Sequence, residues 1–324
     1  MNTTLKKWAF ALLSIVAVLF TSCVDDDDNG NIIPGNNSIL DRTVANSDLS
    51  ILETALIRTG LNDTFGNPGD YTFFAPNDAA FNLYLTNNAF TSIEAIPITD
   101  LRALLLYHAL NTKVTLELVS NGYVKTLGKD EEVESLDLFI EAATPVVLNG
   151  TAGVIDADIE VDNGVMHIID SVLELPTITT LIAANPDFDD LQTALELTNL
   201  DSLLSSDVGT MQTPFTIFAP NNEGFQNLIN LNPADGFNVV QDILDISNLD
   251  GALSYHIVGN DRIRSGDISN GFPVIPLFGS SYAIDTMSGI QFVDGTMTTA
   301  TITPANVTAI NGIIHTLDIV VRPM

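Results

Sequence analysis

The 324-residue sequence has few basic residues, one cysteine, one tryptophan and four histidines, and these shortages exclude several classes of protein. It carries 11 Lys and Arg against 41 Asp and Glu, giving a formal charge of −30. A field of that sign repels phosphate backbones, which excludes nucleic-acid binding. A single cysteine cannot form an intrachain disulfide. Four histidines are too few for an extended histidine-based metal or proton-relay system.

Apolar residues are plentiful by contrast. Hydrophobic residues make up 46% of the chain and charged residues 16%, and the mean hydropathy is +0.27. A disordered acidic chain would be far more polar, so most of this sequence must fold around apolar cores. Its length is sufficient for two domains of ordinary size.

The N-terminus has the pattern of an export signal. Lys6 and Lys7 precede an apolar run over residues 8–20, which is too short for a stable membrane span. The only cysteine, Cys23, follows at the expected cleavage point, in a segment that resembles the lipobox of bacterial lipoproteins. We therefore expect residues 1–22 to be a lipoprotein signal peptide and Cys23 to carry the lipid anchor. A plain signal peptide with an incidental cysteine is the alternative.

An acidic segment follows the cysteine. Four aspartates, residues 25–28, lie in a stretch rich in Asn, Gly and Pro, so residues 23–39 are predicted to form a flexible acidic linker. The aspartate run is similar to the surface-export signals of some Gram-negative outer-membrane lipoproteins. The predicted location is therefore the outer membrane or cell surface, and a solvated spacer alone is the alternative interpretation.

The rest of the chain contains two copies of one sequence repeat. Four short segments recur in the same order, and every histidine occupies a repeated position. The recurring segments are 54–56 and 193–195, 74–81 and 218–225, 107–108 and 255–256, and 163–167 and 311–315. We predict a first repeat over residues 40–176 and a second over residues 177–324, joined with almost no linker.

Local patterns in both repeats mix strands and helices. An apolar strand over residues 71–75 stops at Pro76, and Asn77-Asp78 then offers a helix N-cap, with Asn222 as the predicted cap in the second repeat. Residues 154–161 alternate as a half-buried strand, followed by turn residues 162–164 that predict a hairpin. Because no regular alternation of strand and helix appears, the predicted fold class is α+β.

The alternation in residues 154–161 assigns faces to its side chains. It predicts that Ile155 and Ile159 point inward with two further apolar residues, and that Asp158 points outward with two further acids. Ile159 is therefore expected to pack in the core, and Asp158 is expected to be available to a partner.

Nothing in the sequence assembles a catalytic or metal site. His108 and His256 each lie on an apolar helical stripe, and His167 lies among apolar residues of a strand, so neutral, hydrogen-bonded core histidines are expected. Motifs for a nucleophile, a phosphate loop or a zinc site are missing. We therefore predict no enzymatic activity, no cofactor and no metal.

The repeated segments resemble the fasciclin (beta-Ig-H3/fasciclin) domain. The family pattern of a Thr-x-Phe-x-Pro-Asn segment, a Tyr-His pair and a final Asn-Gly-x-x-His segment occurs twice, in the same order. The matching residues are 72–81, Tyr107, His108, 163–170 with His167, then 216–225, Tyr255, His256 and 311–318 with His315. The resemblance implies two tandem α+β domains, each a wedge of β-sheets with packed helices, in an extracellular or surface-attached protein associated with adhesion.

The same resemblance suggests one adhesion feature. Some fasciclin domains have an Asp-Ile pair ahead of the last motif that is implicated in cell attachment, and Asp158-Ile159 falls at that position. The second repeat has Asn306-Val307 there instead, which departs from the pattern. Asp158 and Ile159 are thus the candidate adhesion residues of the first repeat.

Two functions remain open from the sequence. The first is a lipid-anchored surface protein that binds a cell-surface or matrix protein or glycan without catalysing a reaction. The second is an accessory lipoprotein that binds glycans or another envelope protein for an uptake system. Removal of residues 1–22 takes the only tryptophan, Trp8, and this weighs against strong stacking on carbohydrate.

Overall fold

The computed structural model describes residues 37–206, 208–210, 212–231, 233–287, 290–294, 298–302 and 306–323. The predicted signal peptide, Cys23 and the predicted linker up to residue 36 lie outside the described residues. By their contacts, residues Asn36–Met324 form one compact unit that contains both repeats.

The first repeat packs helices against a seven-stranded sheet of order β2-β1-β7-β6-β5-β4-β3. Strands β1 and β7 are parallel, and the other neighbours are antiparallel. Its helices are α1 (Ile39–Ala45), α2 (Ser50–Arg58), α3 (Asn62–Gly66), α4 (Asp78–Asn87) and α5 (Ile98–Tyr107). Its strands are β1 (Tyr71–Pro76), β2 (Ala109–Leu110), β3 (Gly122–Lys129), β4 (Ser135–Glu141), β5 (Val147–Leu148), β6 (Ala152–Val161) and β7 (Gly164–Ile169).

The second repeat divides its described strands between two four-stranded sheets, of order β14-β15-β8-β9 and β10-β11-β12-β13. The parallel pair β8 and β15 corresponds to β1 and β7. Its helices are α6 (Ile178–Ala183), α7 (Asp189–Thr198), α8 (Leu200–Leu204), α9 (Asn222–Leu231), α10 (Val240–Leu244) and α11 (Leu249–Ser254). Its strands are β8 (Phe215–Pro220), β9 (Ile257–Gly259), β10 (Phe272–Val274), β11 (Tyr282–Asp285), β12 (Gln291–Val293), β13 (Thr299–Thr301), β14 (Val307–Ala309) and β15 (Gly312–Leu317).

The predicted α+β fold class is confirmed, and each repeat has its own apolar core. Phe65, Phe73 and Phe81 are fully buried in the first repeat, and Phe215 and Phe225 are fully buried in the second. These aromatic side chains come from a helix and a strand alike, so burial of both element types against one another stabilises the fold.

The start of the folded region differs from the prediction. Ser38 caps α1 with a reciprocal bond to Asp41, and Ile39 is fully buried. The backbone N–H of Asn37 donates to the Asp162 carboxylate at 3.0 Å. Residues 37–39, which the composition assigned to the flexible linker, therefore belong to the first repeat.

The predicted strand-to-helix turn is present in both repeats, but one cap was misplaced by a residue. Asn77 accepts a hydrogen bond from the N–H of Ala80 at 2.8 Å and begins α4. In the second repeat, Asn221 accepts from Gly224 N–H at 2.9 Å and begins α9. The prediction that Asn222 caps this helix is wrong.

Asn222 instead caps a neighbouring helix. Its side-chain oxygen accepts from the N–H of Asp190, in the first turn of α7, at 3.0 Å. Asp78 does the same in the first repeat, accepting from the N–H of Ile51 in α2 at 2.9 Å. The residue after each helix cap thus joins two helices, because it satisfies an N–H group that the second helix leaves unpaired.

The predicted hairpin of β6 and β7 is present, but the alternation along β6 is interrupted. The register shifts between Val154 and Asp156 and again between Asp156 and Ile159. Such bulges reverse the side-chain direction along a strand. Ile155 is consequently 56% exposed, so the prediction that it points inward is wrong. Ile159 is half-buried against the first-repeat core.

Candidate functional site

The Tyr-His histidines lie in the interior and use both ring nitrogens. His108 donates from Nδ1 to the carbonyl oxygen four residues earlier at 2.7 Å, and its Nε2 accepts from the N–H of Leu173 at 2.9 Å. In the second repeat, His256 donates from Nδ1 to the carbonyl oxygen of Ala252 at 2.8 Å, and its Nε2 accepts from the N–H of Val321 at 3.1 Å. Burial lowers the pKa of each imidazole to about 4. Both rings are therefore neutral and act as links between a helix and a C-terminal segment of their repeat.

His167 lies on β7 and stacks on Phe74, with the ring centroids 5.6 Å apart. Its Nε2 donates to the carbonyl of Val114 at 3.0 Å, and its Nδ1 accepts from the N–H of Asp158 at 3.1 Å. Burial lowers the pKa of this imidazole. His167 thus connects the bulged strand β6 to the segment that follows β2.

The second repeat contains the same arrangement. His315 stacks on Phe218 at 5.4 Å between centroids, donates to the carbonyl of Ile263 at 2.6 Å and accepts from the N–H of Asn306 at 3.4 Å. Burial lowers the pKa of His315 as well. Because the contacts recur atom for atom, they are a property of the domain and not of one repeat.

The tyrosines of the Tyr-His pairs have diverged between the repeats. Tyr107 is fully buried, donates its hydroxyl to the carbonyl of Asp137 at 2.8 Å and accepts from the side-chain amide of Asn149 at 2.8 Å. Tyr255 is 2% exposed, and its ring lies 5.1 Å from that of Tyr282. Both tyrosines pack inside the fold, so neither ring is offered to a ligand at the surface.

The asparagine of each final motif ties the start of its repeat to the end. Asn163 accepts from the N–H of Ile39 at 2.9 Å and donates to the carbonyls of Phe65 and Asn67 at 2.8 and 2.9 Å. Asn311 makes the equivalent three bonds in the second repeat. From the sequence this asparagine is predicted only as part of the motif, and its recurrence ahead of glycine is the signal for a buried structural role.

The candidate adhesion residue Asp158 is less available than the alternation predicted. Its backbone has a φ of +55°, and its Oδ1 accepts from the N–H of Leu116 at 2.9 Å. The carboxylate is still 42% exposed and lies 4.0 Å from Nδ1 of His167. Asn306 has the same conformation, with φ +70°, and accepts from the N–H of Ser265 at 2.8 Å.

This equivalence gives a prediction for Asp158. Asp158→Ala should destabilise the first repeat by about 2 kcal/mol, because alanine is strained at positive φ and leaves the N–H of Leu116 unpaired. Asp158→Asn should change stability by less than about 0.5 kcal/mol, since Asn306 already makes the same contacts in this conformation. Urea denaturation midpoints of the two variants test this. Equal midpoints for both variants would contradict the structural role.

A buried ion-pair cluster joins the two repeats. The Asp130 carboxylate is fully buried and accepts from Arg262 at 2.9 Å and from Arg264 at 3.0 Å. Its other oxygen accepts from the N–H groups of Glu132 and Glu134 at 3.0 and 2.8 Å. Four donors therefore compensate one buried carboxylate, which is the condition for tolerating such a charge in the interior.

A second polar contact between the repeats lies nearby. Asp137 accepts from Lys125 at 2.5 Å and from the N–H of Thr308 at 2.6 Å. Burial raises the pKa of the Asp137 carboxyl, and the Lys125 ammonium opposes that rise. The Tyr123 hydroxyl donates to the carbonyl of Leu181 at 2.8 Å. Sequence periodicity contains no signal for these contacts, because they join strands and loops of different repeats.

The described part of the chain contains no group of three or more His, Cys, Asp or Glu side chains placed to hold a metal ion. Within the same residues, no helix is both long and apolar enough to cross a bilayer. The motif histidines instead satisfy backbone groups of the fold. The motif tyrosines and histidines are thus buried, Ile159 is half-buried, and the Asp158 carboxylate is exposed to solvent in part, while Cys23 lies outside the described residues.

Comparison with known proteins identifies the repeats. A family model described as Fasciclin domain matches residues 47–176 and again residues 186–323. Transforming growth factor-beta-induced protein ig-h3 of Sus scrofa is 25% identical over 258 residues, which cover 79% of this chain and 35% of that protein. Protein sll1735 of Synechocystis is 32% identical over 136 residues, 42% of this chain and 96% of that protein.

A solved structure shares the fold of the pair. The FAS1 domain pair from the insect cell adhesion molecule fasciclin I aligns with a TM-score of 0.50 and 19% identity, over 85% of this chain and 97% of that chain. The chain spans only about a third of the length of the Sus scrofa relative. These matches confirm the tandem repeats that the recurring segments predicted.

Proposed function

The chain belongs to the fasciclin family, and from this premise we propose that it is a cell-surface adhesion protein that binds an extracellular partner without catalysing a reaction. The supporting observation is that the motif side chains of both repeats bond to backbone groups inside the fold. Catalysis by the motif histidines would require some of their ring nitrogens to face a substrate. The buried motif contacts form a common framework. The surface residues around it can differ between family members, and we propose that they select the partner.

We further propose that the protein is a lipoprotein of a Gram-negative bacterium, anchored at Cys23 in the outer membrane and facing outward. The lone cysteine after an apolar run and the acidic segment that follows it support this. A lipid anchor and two binding domains suit adhesion, since many weak contacts on a surface add up to durable attachment. The partner would be a protein or glycan of another cell or of the matrix.

Attachment of living cells tests the proposal. Cells with the wild-type gene should retain radioactive palmitate on the protein and adhere to at least one matrix-coated or cell-coated surface. Cys23→Ala should lose both the label and the adhesion, although the folded domains remain intact. Asp158→Asn, which keeps the fold, shows whether the charge of the candidate adhesion residue contributes to attachment.

Two results would contradict the proposal. The first is unchanged adhesion of a deletion strain on every surface. The second is equal palmitate labelling of the wild type and Cys23→Ala. Loss of growth of the deletion strain on one polysaccharide, with adhesion intact, would favour the accessory role in glycan uptake.

A further inference from the structure

Two clefts adjoin where the first repeat passes into the second. They have volumes of about 460 and 370 Å³, and Tyr84, Glu174, Leu175 and Thr177 line both. We call the two clefts together the junction groove. Its size falls in the range of sites that bind small ligands or peptide side chains.

The junction groove has apolar walls and acidic charge. Leu83, 56% exposed, lines one cleft, and the half-buried Ile310 lines the other. Its charged lining residues among those the structure describes are Glu174 and Asp100, both exposed, with no lysine, arginine or histidine. The groove therefore combines an exposed apolar edge with two carboxylates and has no basic residue among its described lining residues.

Tyr84, Glu174 and Asp100 line the same cleft. Burial raises the pKa of the Tyr84 phenol, and the charges of Glu174 and Asp100 raise it further. An aromatic ring with two carboxylates close by is the environment that a lysine ammonium or arginine guanidinium prefers. The aliphatic stem of such a side chain would lie along the apolar walls.

We propose that the junction groove docks a basic segment of a partner protein, one of whose lysine or arginine side chains enters the cleft that Tyr84, Glu174 and Asp100 line together. This inference rests on the proposed function and names the chemistry of the partner. Both repeats line the groove, so the binding site would need the tandem arrangement and not one domain alone.

Charge weighs against the other occupants. The segment 25–28 of this chain consists of four aspartates, and a second copy carries the same formal charge of −30, so both are repelled by the groove. Anionic lipids and nucleic acids are repelled for the same reason. A basic protein segment has the complementary charge and also supplies side chains that the apolar walls can contact.

Peptide binding to the full chain tests the inference. The probe is a fluorescent twelve-residue peptide with four arginines separated by glycine and serine, and its control has citrulline in place of arginine. We expect the arginine peptide to bind at least tenfold more tightly than the citrulline peptide at low salt, with the difference shrinking as salt rises.

Matched variants locate the site. Glu174→Gln with Asp100→Asn should weaken arginine-peptide binding at least tenfold, and Tyr84→Leu should weaken it about threefold. Glu117→Gln with Asp267→Asn removes the same charge from exposed positions outside the groove and should weaken binding less than twofold. Unchanged melting temperatures show that each variant is folded.

Three outcomes overturn the inference. If Glu117→Gln with Asp267→Asn weakens arginine-peptide binding as much as the groove variants do, the overall negative charge of the protein, and not the groove, attracts the peptide. Equal binding of the citrulline peptide would mean that charge is not recognised. Adhesion that depends on the protein but survives in the Glu174→Gln, Asp100→Asn strain also overturns it while leaving the proposed function intact, whereas adhesion of the deletion strain overturns the proposed function itself.

Discussion

Asp130→Ala is expected to destabilise the folded chain by about 3–5 kcal/mol, because it leaves the buried guanidinium of Arg262 without its counter-charge. The Asp130 carboxylate is fully buried, and the Arg262 side chain is only 3% exposed. Truncation also removes the acceptor for the N–H groups of Glu132 and Glu134. The free energy of unfolding from urea titration measures the effect.

The control lies in the same cluster. Glu132 pairs with Arg264 at 2.7 Å, but its side chain is 52% exposed, so Glu132→Ala should cost less than about 1 kcal/mol. A similar loss for Asp130→Ala and Glu132→Ala would show that the buried cluster does not hold the repeats together. Unfolding in two separate steps for Asp130→Ala alone would show that it couples them.

The same cluster bears on whether the repeats fold separately. Each repeat has its own core, which supports the proposal of two domains, 40–176 and 177–324. Separation would expose Asp130 of one fragment and Arg262 of the other to water. We therefore expect each fragment alone to unfold at a lower urea concentration than the intact pair. Whether each fragment unfolds cooperatively stays a prediction.

Acid is expected to remove a large part of the stability between about pH 6.5 and pH 4. His108 and His256 have pKa values of about 4 in the folded chain, below the ordinary value of 6.5. A group whose folded pKa is depressed contributes stability above its unfolded pKa, and this is lost as the pH falls to the folded pKa. His108 and His256 should each account for a loss on the order of 3 kcal/mol in the free energy of unfolding. His167 and His315 should add to this loss, because burial lowers their pKa values as well.

Relief of carboxylate repulsion opposes this loss as the pH falls, so a variant is needed to isolate the histidine effect. His256→Gln retains a donor and an acceptor in its side-chain amide but does not titrate. We expect its free energy of unfolding to fall less steeply than that of the wild type between pH 6.5 and 4. Identical slopes would contradict neutral, buried histidines, and NMR titration of the imidazoles checks the pKa values directly.

The sequence predicted those parts of the fold that short-range patterns determine. The strand ending at Pro76, the cap at Asn77 and the hairpin after Val161 each depend on neighbours within a few residues, and each is present. Repetition of the same segments predicted the tandem arrangement for the same reason. The core histidines followed from apolar periodicity alone.

The remaining features depend on partners that are distant in sequence. Ile155 is exposed because β6 shifts register against β7, and no pattern within β6 encodes that shift. Asp130 and Arg262 meet across 132 residues, so nothing local marks either as buried. The junction groove likewise arises only where the segment after β7 crosses to the second repeat.

The bonds that hold the first folded residues have a mechanical consequence if the chain is tethered at Cys23 as we propose. Asn37 and Ile39 are joined to Asp162 and Asn163, which lie 125 and 124 residues further along the chain. A pull on the chain ahead of Asn37 is therefore transmitted first to the β6–β7 hairpin, and through β7 to its parallel partner β1. The load reaches the central strands of the sheet before it can peel α1 away. An adhesive anchored at its N-terminus would thus resist shear through the buried strands β7 and β1 in addition to the half-exposed β6.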